Sequence, residues 1–384
     1  MKTVAAETLD ALLPVIAEHR AAADRCREPA RAVYDALDQA ELKRMALSAN
    51  DGGLGTSLPE MLAVFEAIAY EDAAVSWVLW NAALVGLYYR YMPDALKSEL
   101  VTRGVPWFAH STIPAGSVSV TGSEAIVDGR WPLVSGSPGA EWLVLTCRQQ
   151  AHETAVLDDV GAPVTSLVAV PRAQVEILDT WYSSGLRGTG SHDVCVKAAR
   201  VPVHRVFSLD TPPRRASATD RLPMFASVSA IFAAQLLGLG NAVYQATVAQ
   251  ARGAAVDASP PPRRCRQDFQ IAVARHGAAL EAASLALHAS ACRVWERANG
   301  CDPDAETTTS LYAAGFVVID AVKQTVEALH ALAGTAALYE TSPLEKRVRD
   351  LSAMLRHIVA HDDMRADVGR ARLGLALAWP LFHT

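Results

Sequence analysis

The spacing of apolar residues changes period twice along this 384-residue chain, and no single kind of structural layer satisfies both periods. From residue 5 to about 100, apolar residues recur three and four apart, as in Leu62, Phe65 and Ala69, which is the period of a helix facing a core. A turn-rich loop, Asp51-Gly52-Gly53-Leu54-Gly55, interrupts this block, and Ser57 with Glu60 three residues on forms a helix-start signature. Val75-Ser76-Trp77-Val78-Leu79-Trp80-Asn81 is too apolar for a surface helix and reads as a buried one. Between about 106 and 208 the runs become short and β-rich: Val118–Val120, Glu124–Val127, Trp142–Cys147, Ser166–Val170 and Val194–Val201, separated by Gly, Pro, Asp and Ser. After the linker Pro212-Pro213-Arg214-Arg215, long apolar stripes return through Ile231, Ala234 and Leu237, and later Leu280, Ala283 and Leu287, with a polar break at Asp257–Arg264. The chain therefore reads as α+β, mostly α. An N-terminal helical domain spans 1–105, a small antiparallel β domain 106–210 and a helical bundle 211–384.

Composition narrows the class. A 51% hydrophobic content supports a large core, and 35 basic against 41 acidic residues leave a net charge of −6, which excludes a generalised electrostatic grip on nucleic acid or anionic lipid. The six cysteines contain no C-x-x-C pair, so neither a zinc site nor a disulfide framework is expected, and we read them as reduced thiols of a cytoplasmic protein. Glu7, Asp10 and Glu18 break any signal-peptide core, and no later apolar run reaches membrane-spanning length uninterrupted. Neither a membrane nor a metal is expected.

Five segments, in order, carry a resemblance. They are Gly52-Gly53-Leu54-Gly55; Ser111-Thr112-Ile113-Pro114-Ala115-Gly116-Ser117; Trp131-Pro132-Leu133-Val134-Ser135-Gly136; Gly185-Leu186-Arg187-Gly188-Thr189-Gly190-Ser191 followed by Val201-Pro202; and Ser342-Pro343-Leu344-Glu345-Lys346-Arg347-Val348-Arg349-Asp350. With them the chain resembles the acyl-CoA dehydrogenase superfamily along nearly its whole length. The resemblance implies that the β domain is a small barrel and the C-terminal bundle has four helices. Departures point to one branch. Where a dehydrogenase carries a catalytic glutamate in a Tyr-Glu-Gly-Thr motif, this chain reads Arg356-His357-Ile358-Val359-Ala360-His361-Asp362-Asp363. Ile113 replaces the glutamate of the Thr-Glu-Pro segment, and the Arg-x-x-Phe-Gly motif that grips the dinucleotide half of FAD has no match near Arg263-Arg264-Cys265-Arg266-Gln267. These features are similar to the oxygenase components of two-component flavin monooxygenases of the p-hydroxyphenylacetate hydroxylase type.

That resemblance implies reduced FMN or FAD delivered by a separate NAD(P)H-dependent flavin reductase, O2 as co-substrate acting through a flavin C4a-hydroperoxide, a small aromatic, amine or polycyclic substrate, and a homotetramer. It places Ser135 beside flavin N5, Ser111 and Thr112 along the isoalloxazine, and Arg187 on flavin or phosphate, against readings of Ser135 as a turn residue and Arg187 as a surface ion pair. His357 is the implied catalytic histidine: near its ordinary pKa it would deprotonate a phenol or amine or shuttle a proton. His361 lies four residues on and would share its face on a helix, either joining the site or facing water. Trp77, Trp80 and Asn81 are candidates for the substrate side. Ser191-His192-Asp193 is not a triad, because consecutive strand side chains face opposite ways. Two rival readings are a thioester dehydrogenase or oxidase with an unorthodox base, and a fold-retaining assembly protein without catalysis.

Overall fold

The computed structural model describes residues 6–102, 104–151, 154–253 and 262–379. Five helices open the chain: α1 (Ala6–Cys26), α2 (Arg31–Gln39), α3 (Leu58–Glu71), α4 (Ala73–Tyr88) and α5 (Asp94–Leu100). Ser57 starts α3 as expected, its hydroxyl accepting from the Glu60 backbone N–H at 3.4 Å. Asp72 starts α4 by accepting from Ala74 N–H at 2.8 Å. Every residue of α4 from Ala73 to Val85 is buried, which is where an all-round apolar helix has to lie.

The central domain is one sheet of eight strands: β1 (Phe108–Thr121), β2 (Glu124–Val134), β3 (Trp142–Ala151), β4 (Thr154–Ala155), β5 (Thr165–Pro171), β6 (Glu176–Leu178), β7 (His192–Pro202) and β8 (Val206–Phe207). They run in the order β6-β7-β2-β1-β3-β5-β8, with β4 paired to β3. The expectation of antiparallel pairing throughout needs correction: β1 and β3 are parallel. The cause is the connection from Ser135 to Glu141, which carries the chain past the start of β1 and pins it there, Glu141 N–H donating to Trp107 O at 2.8 Å while Trp107 N–H donates to the Glu141 carboxylate at 2.8 Å. Strand alternation divides the sheet between two cores. Leu143, Leu145, Val168 and Val170 join Trp131 and Val194 in a core of the sheet's own, whereas Val144, Leu167 and Ala169 face the helices. Gly116 is required beside Trp131, since a Cβ there would sit 2.1 Å from the indole. β1 bulges at this point, advancing from Ser111 to Gly116 while β3 advances only from Leu145 to Cys147.

Helices then return: α6 (Ala218–Arg221), α7 (Met224–Gly253), α8 (Gln267–Ala298), α9 (Ala305–Ala333), α10 (Glu345–Met354) and α11 (Asp362–Arg372). Part of the expected polar break, 254–261, lies outside the described residues. Three long helices, α7, α8 and α9, build the bundle; α3 packs along α7 and α8, the short α10 packs against α7 and α9, and α11 packs against α9. Among the described residues α7 alone is long and apolar enough to cross a membrane, but 89% of its most apolar stretch is buried inside the protein, so its composition reflects a core position between α3, α8 and α9.

Candidate functional site

The site forms where α4, the end of β2, the loop 185–191 and the break between α10 and α11 meet. Ser135 follows β2 directly and is 6% exposed. Its Oγ accepts from the Trp77 indole Nε1–H at 3.1 Å and lies 2.7 Å from the Ser191 hydroxyl. Ser191 is in turn 2.6 Å from the Thr189 hydroxyl, which donates to Leu186 C=O at 2.8 Å. Gly136 N–H donates to Thr189 C=O at 2.8 Å, and the Ser137 hydroxyl to Gly190 C=O at 3.2 Å, so the two segments are stitched together on both sides of Ser135.

The loop is itself held from the bundle. Asp350 accepts from Leu186 N–H at 2.7 Å, Lys346 bridges Asp350 at 2.6 Å and the helix-capping Asp72 at 2.9 Å, and Gly185 packs so close to the α10 backbone that a Cβ would lie 2.0 Å from Arg349 C=O. Lys346 stays charged at any physiological pH, because its two carboxylate partners outweigh the burial that opposes its charge. The Arg-Asp landmark read in the sequence thus fixes the position of Ser191.

Across the Trp77 ring from Ser135 lies His357. Its imidazole is 5.4 Å from Trp77, 5.3 Å from Trp80 and 5.6 Å from Phe232, centroid to centroid, and stacks on Phe232 at 26°. Burial among these rings pushes its pKa down from 6.5 to about 4, with smaller contributions from His110 and His361, which corrects the expectation of an ordinary value. The ring is neutral at pH 7. Its Nδ1 accepts from Val359 N–H at 3.4 Å, so the proton of the neutral ring lies on Nε2, and the group is a donor and a poor base.

The structure separates the other candidates. His361 is exposed, and the pair does not share one α-helix: His357 starts a 3₁₀ turn over Ile358–Ala360, and His361 starts α11. The turn arises because Asp362 and Asp363 favour a helix start there, which breaks the expected register. Arg187 is committed to α1, its Nε donating to Asp24 C=O at 3.1 Å, in line with the ion-pair reading. Ser111 is buried and its Oγ accepts from Ile113 N–H at 3.3 Å, while Thr112 is exposed on the β1 bulge. Asn81 donates from Nδ2 to Trp77 C=O at 2.9 Å. Ser191, His192 and Asp193 part company: His192 Nδ1 accepts from Thr180 and Trp181 N–H, and Asp193 pairs with Arg130.

Four residues escaped sequence reasoning: Thr189, Ser191, Phe232 and His110. The first two lay inside a quoted motif whose hydroxyls had no assigned partner. His110 is a lone histidine in a strand, buried, with Nδ1–H donating to Asn81 C=O at 3.2 Å and its pKa pushed by burial to about 4; nothing in its spacing marks it.

A flavin fits this donor set. Ser135 Oγ keeps one lone pair beyond its two partners, and the nearby Trp80 Nε1–H is buried without a hydrogen-bond partner, so the protein alone does not use up the polar groups it gathers around the aromatic rings. Comparison with known proteins agrees. Residues 230–362 match the family model described as acyl-CoA dehydrogenase, C-terminal domain. The indole-3-acetate monooxygenase of Pseudomonas putida is 25% identical, with 91% of this chain and 89% of that protein aligned. The oxygenase component of p-hydroxyphenylacetate 3-hydroxylase of Acinetobacter baumannii is 24% identical over 96% of this chain and 89% of its own. The structure of XiaF from Streptomyces sp., in complex with FADH2 and glycerol, superposes with a TM-score of 0.87 at 24% identity, covering 97% and 96% of the two chains. Residues 230–362 thus carry the acyl-CoA dehydrogenase C-terminal domain. Over nearly its whole length the chain is similar to the oxygenase components of two-component flavin monooxygenases.

Proposed function

We propose that the protein is the oxygenase component of a two-component monooxygenase, taking reduced FMN or FAD from a separate NAD(P)H-dependent reductase and placing one atom of O2 into a small aromatic, amine or polycyclic substrate. The observation that carries this reading is the joining of Ser135 to the His357 cage through one side chain, Trp77, in a chain whose relatives over nearly full length include a flavin-dependent monooxygenase oxygenase subunit. The bound flavin supplies the two electrons that activate oxygen. The chain supplies the surroundings. Ser135 offers its remaining lone pair at the flavin N5 edge, and Ser111 and Thr112 lie toward the same open end of the β1–β2 hairpin. Trp77, Trp80 and Phe232 form apolar walls that exclude water and match a flat substrate. His357 holds a substrate heteroatom through its Nε2–H, with Asn81 buried one helical turn from Trp77 on α4 as a further polar contact. Arg187 has no part in this and acts as a structural tie to α1; His361 faces solvent.

The thioester-dehydrogenase alternative fares poorly on the same geometry. The neutral His357 imidazole has its Nδ1 lone pair engaged by Val359 N–H and carries its proton on Nε2, so it offers no free lone pair to take the α-proton of a thioester, and the groups packed on it are the rings of Trp77, Trp80 and Phe232 rather than a carboxylate. A homotetramer is supported by apolar side chains exposed along the bundle, Ile271 and Leu285 on α8 and Val317 on α9, at 50%, 66% and 49%. Free cysteines and the burial of α7 support a cytoplasmic site. The test supplies the protein with a flavin reductase, NADH, FMN and 18O2, and presents indole-3-acetate, p-hydroxyphenylacetate and indole as probes. One 18O atom in a product is expected. Tightly held FAD that is bleached by an acyl-CoA, with no oxygenated product, would overturn the reading.

A further inference from the structure

The hydroxyls behind Ser135 form a chain whose direction is fixed at both ends. At one end the Trp77 indole N–H donates only; at the other, Leu186 C=O accepts only. Each hydroxyl between them carries one proton. Thr189 spends its proton on Leu186 C=O, so at 2.6 Å it accepts from Ser191; Ser191, its proton spent, accepts from Ser135 at 2.7 Å. The proton of Ser135 therefore points inward, away from the pocket. All three side chains are buried, at 6%, 4% and 0% for Ser135, Ser191 and Thr189, so no bulk water competes to reorient them.

We propose that Thr189 and Ser191 are positioning residues that turn Ser135 into a pure acceptor toward the pocket, and that this polarity selects reduced over oxidised flavin. This rests on the flavin reading above. Reduced flavin carries a hydrogen on N5 and donates to the open lone pair of Ser135. Oxidised flavin presents a bare nitrogen lone pair there, and two acceptors facing each other in a buried site repel. The structure thus holds a device by which an oxygenase discharges the spent, oxidised cofactor and accepts the next reduced one, set by residues that do not touch the flavin. Trp77 contributes by filling the other lone pair of Ser135, which leaves one acceptor direction only.

Binding of both redox forms decides the matter, measured with FMN by fluorescence quenching in air and by anaerobic titration after reduction. Wild-type protein is expected to bind reduced FMN at least about tenfold more tightly than oxidised FMN, equivalent to a rise of about 30 mV in the potential of the bound two-electron couple. Ser191→Ala and Thr189→Val free the Ser135 proton, and the ratio should fall toward one, chiefly through tighter binding of the oxidised form; Thr189→Ser should restore it. A merely structural role would weaken both forms alike and leave the ratio standing. A wild-type ratio near one, or a ratio unchanged in both variants, overturns the polarity proposal while leaving the flavin reading intact. Failure of wild-type protein to bind either form overturns both.

Discussion

His357 illustrates how one side chain's surroundings rewrite its chemistry. Three aromatic rings at 5.3 to 5.6 Å shield it from much of the solvent, so the ring stays neutral, and the Val359 N–H on Nδ1 leaves the proton on Nε2. A donor at that position should be replaceable by another donor. His357→Gln, which carries an amide N–H at about the same reach, is expected to keep most of the oxygenation rate, whereas His357→Ala should lower it about tenfold to a hundredfold, the size of one hydrogen bond to a polar group that strengthens in the transition state. Reduced FMN binding should be unchanged in both. Steady-state rates with 18O2 check this, and equal loss in the two variants would mean that His357 acts as a base after all. The sequence marked His357 by its place after Arg349-Asp350, yet its tautomer depends on a backbone N–H and its pKa on Phe232, more than a hundred residues away in the chain.

At the scale of elements, α10 is short, but it ties all three parts of the chain at Lys346. That ammonium meets Asp72 at the start of α4 and Asp350, which caps the loop of Ser191. Both carboxylates are almost fully buried, so removal of the lysine leaves charge without compensation. Lys346→Met is therefore expected to cost about 3–5 kcal/mol and to lower the thermal midpoint. Reduced FMN binding should weaken with it, because Asp350 no longer holds Leu186 and Ser191. A midpoint within a degree of wild type would show that the triad is dispensable. Elements themselves were largely legible: the periodicity located the buried α4 and the starts of β3, β5 and β7 to within two residues. The first half of β1 was not, because Pro114 and Gly116 interrupt its alternation and only the fit of Trp131 against Gly116 makes a strand there worthwhile. Likewise β4, β6 and β8 are two or three residues each, too short to show a period.

For the whole molecule, buried His110 and half-buried His357 couple folding to pH. His110 and His357 take up protons near 6.5 in the unfolded chain but only near 4 in the folded one. Between these values the unfolded state binds more protons, so stability is full above about pH 6.5 and declines as pH falls toward 4, by up to about 3 kcal/mol per histidine. Unfolding midpoints measured from pH 7.5 to 4.5 should show this slope, and His357→Gln should make it shallower by the share of one histidine; an unchanged slope would mean that the rings around His357 do not disfavour its charge as described. The order of helices, sheet and helices, the family resemblance and the presence of Ser135 and His357 were all determined by the sequence, since apolar period and short motifs are local properties of a chain. Tertiary structure alone decided that β1 and β3 run parallel, that Arg187 serves Asp24, that His361 faces water, and which way the Ser135 proton points. Each of those depends on partners brought together from distant segments, and a hydrogen bond has a direction only once both of its ends are in place.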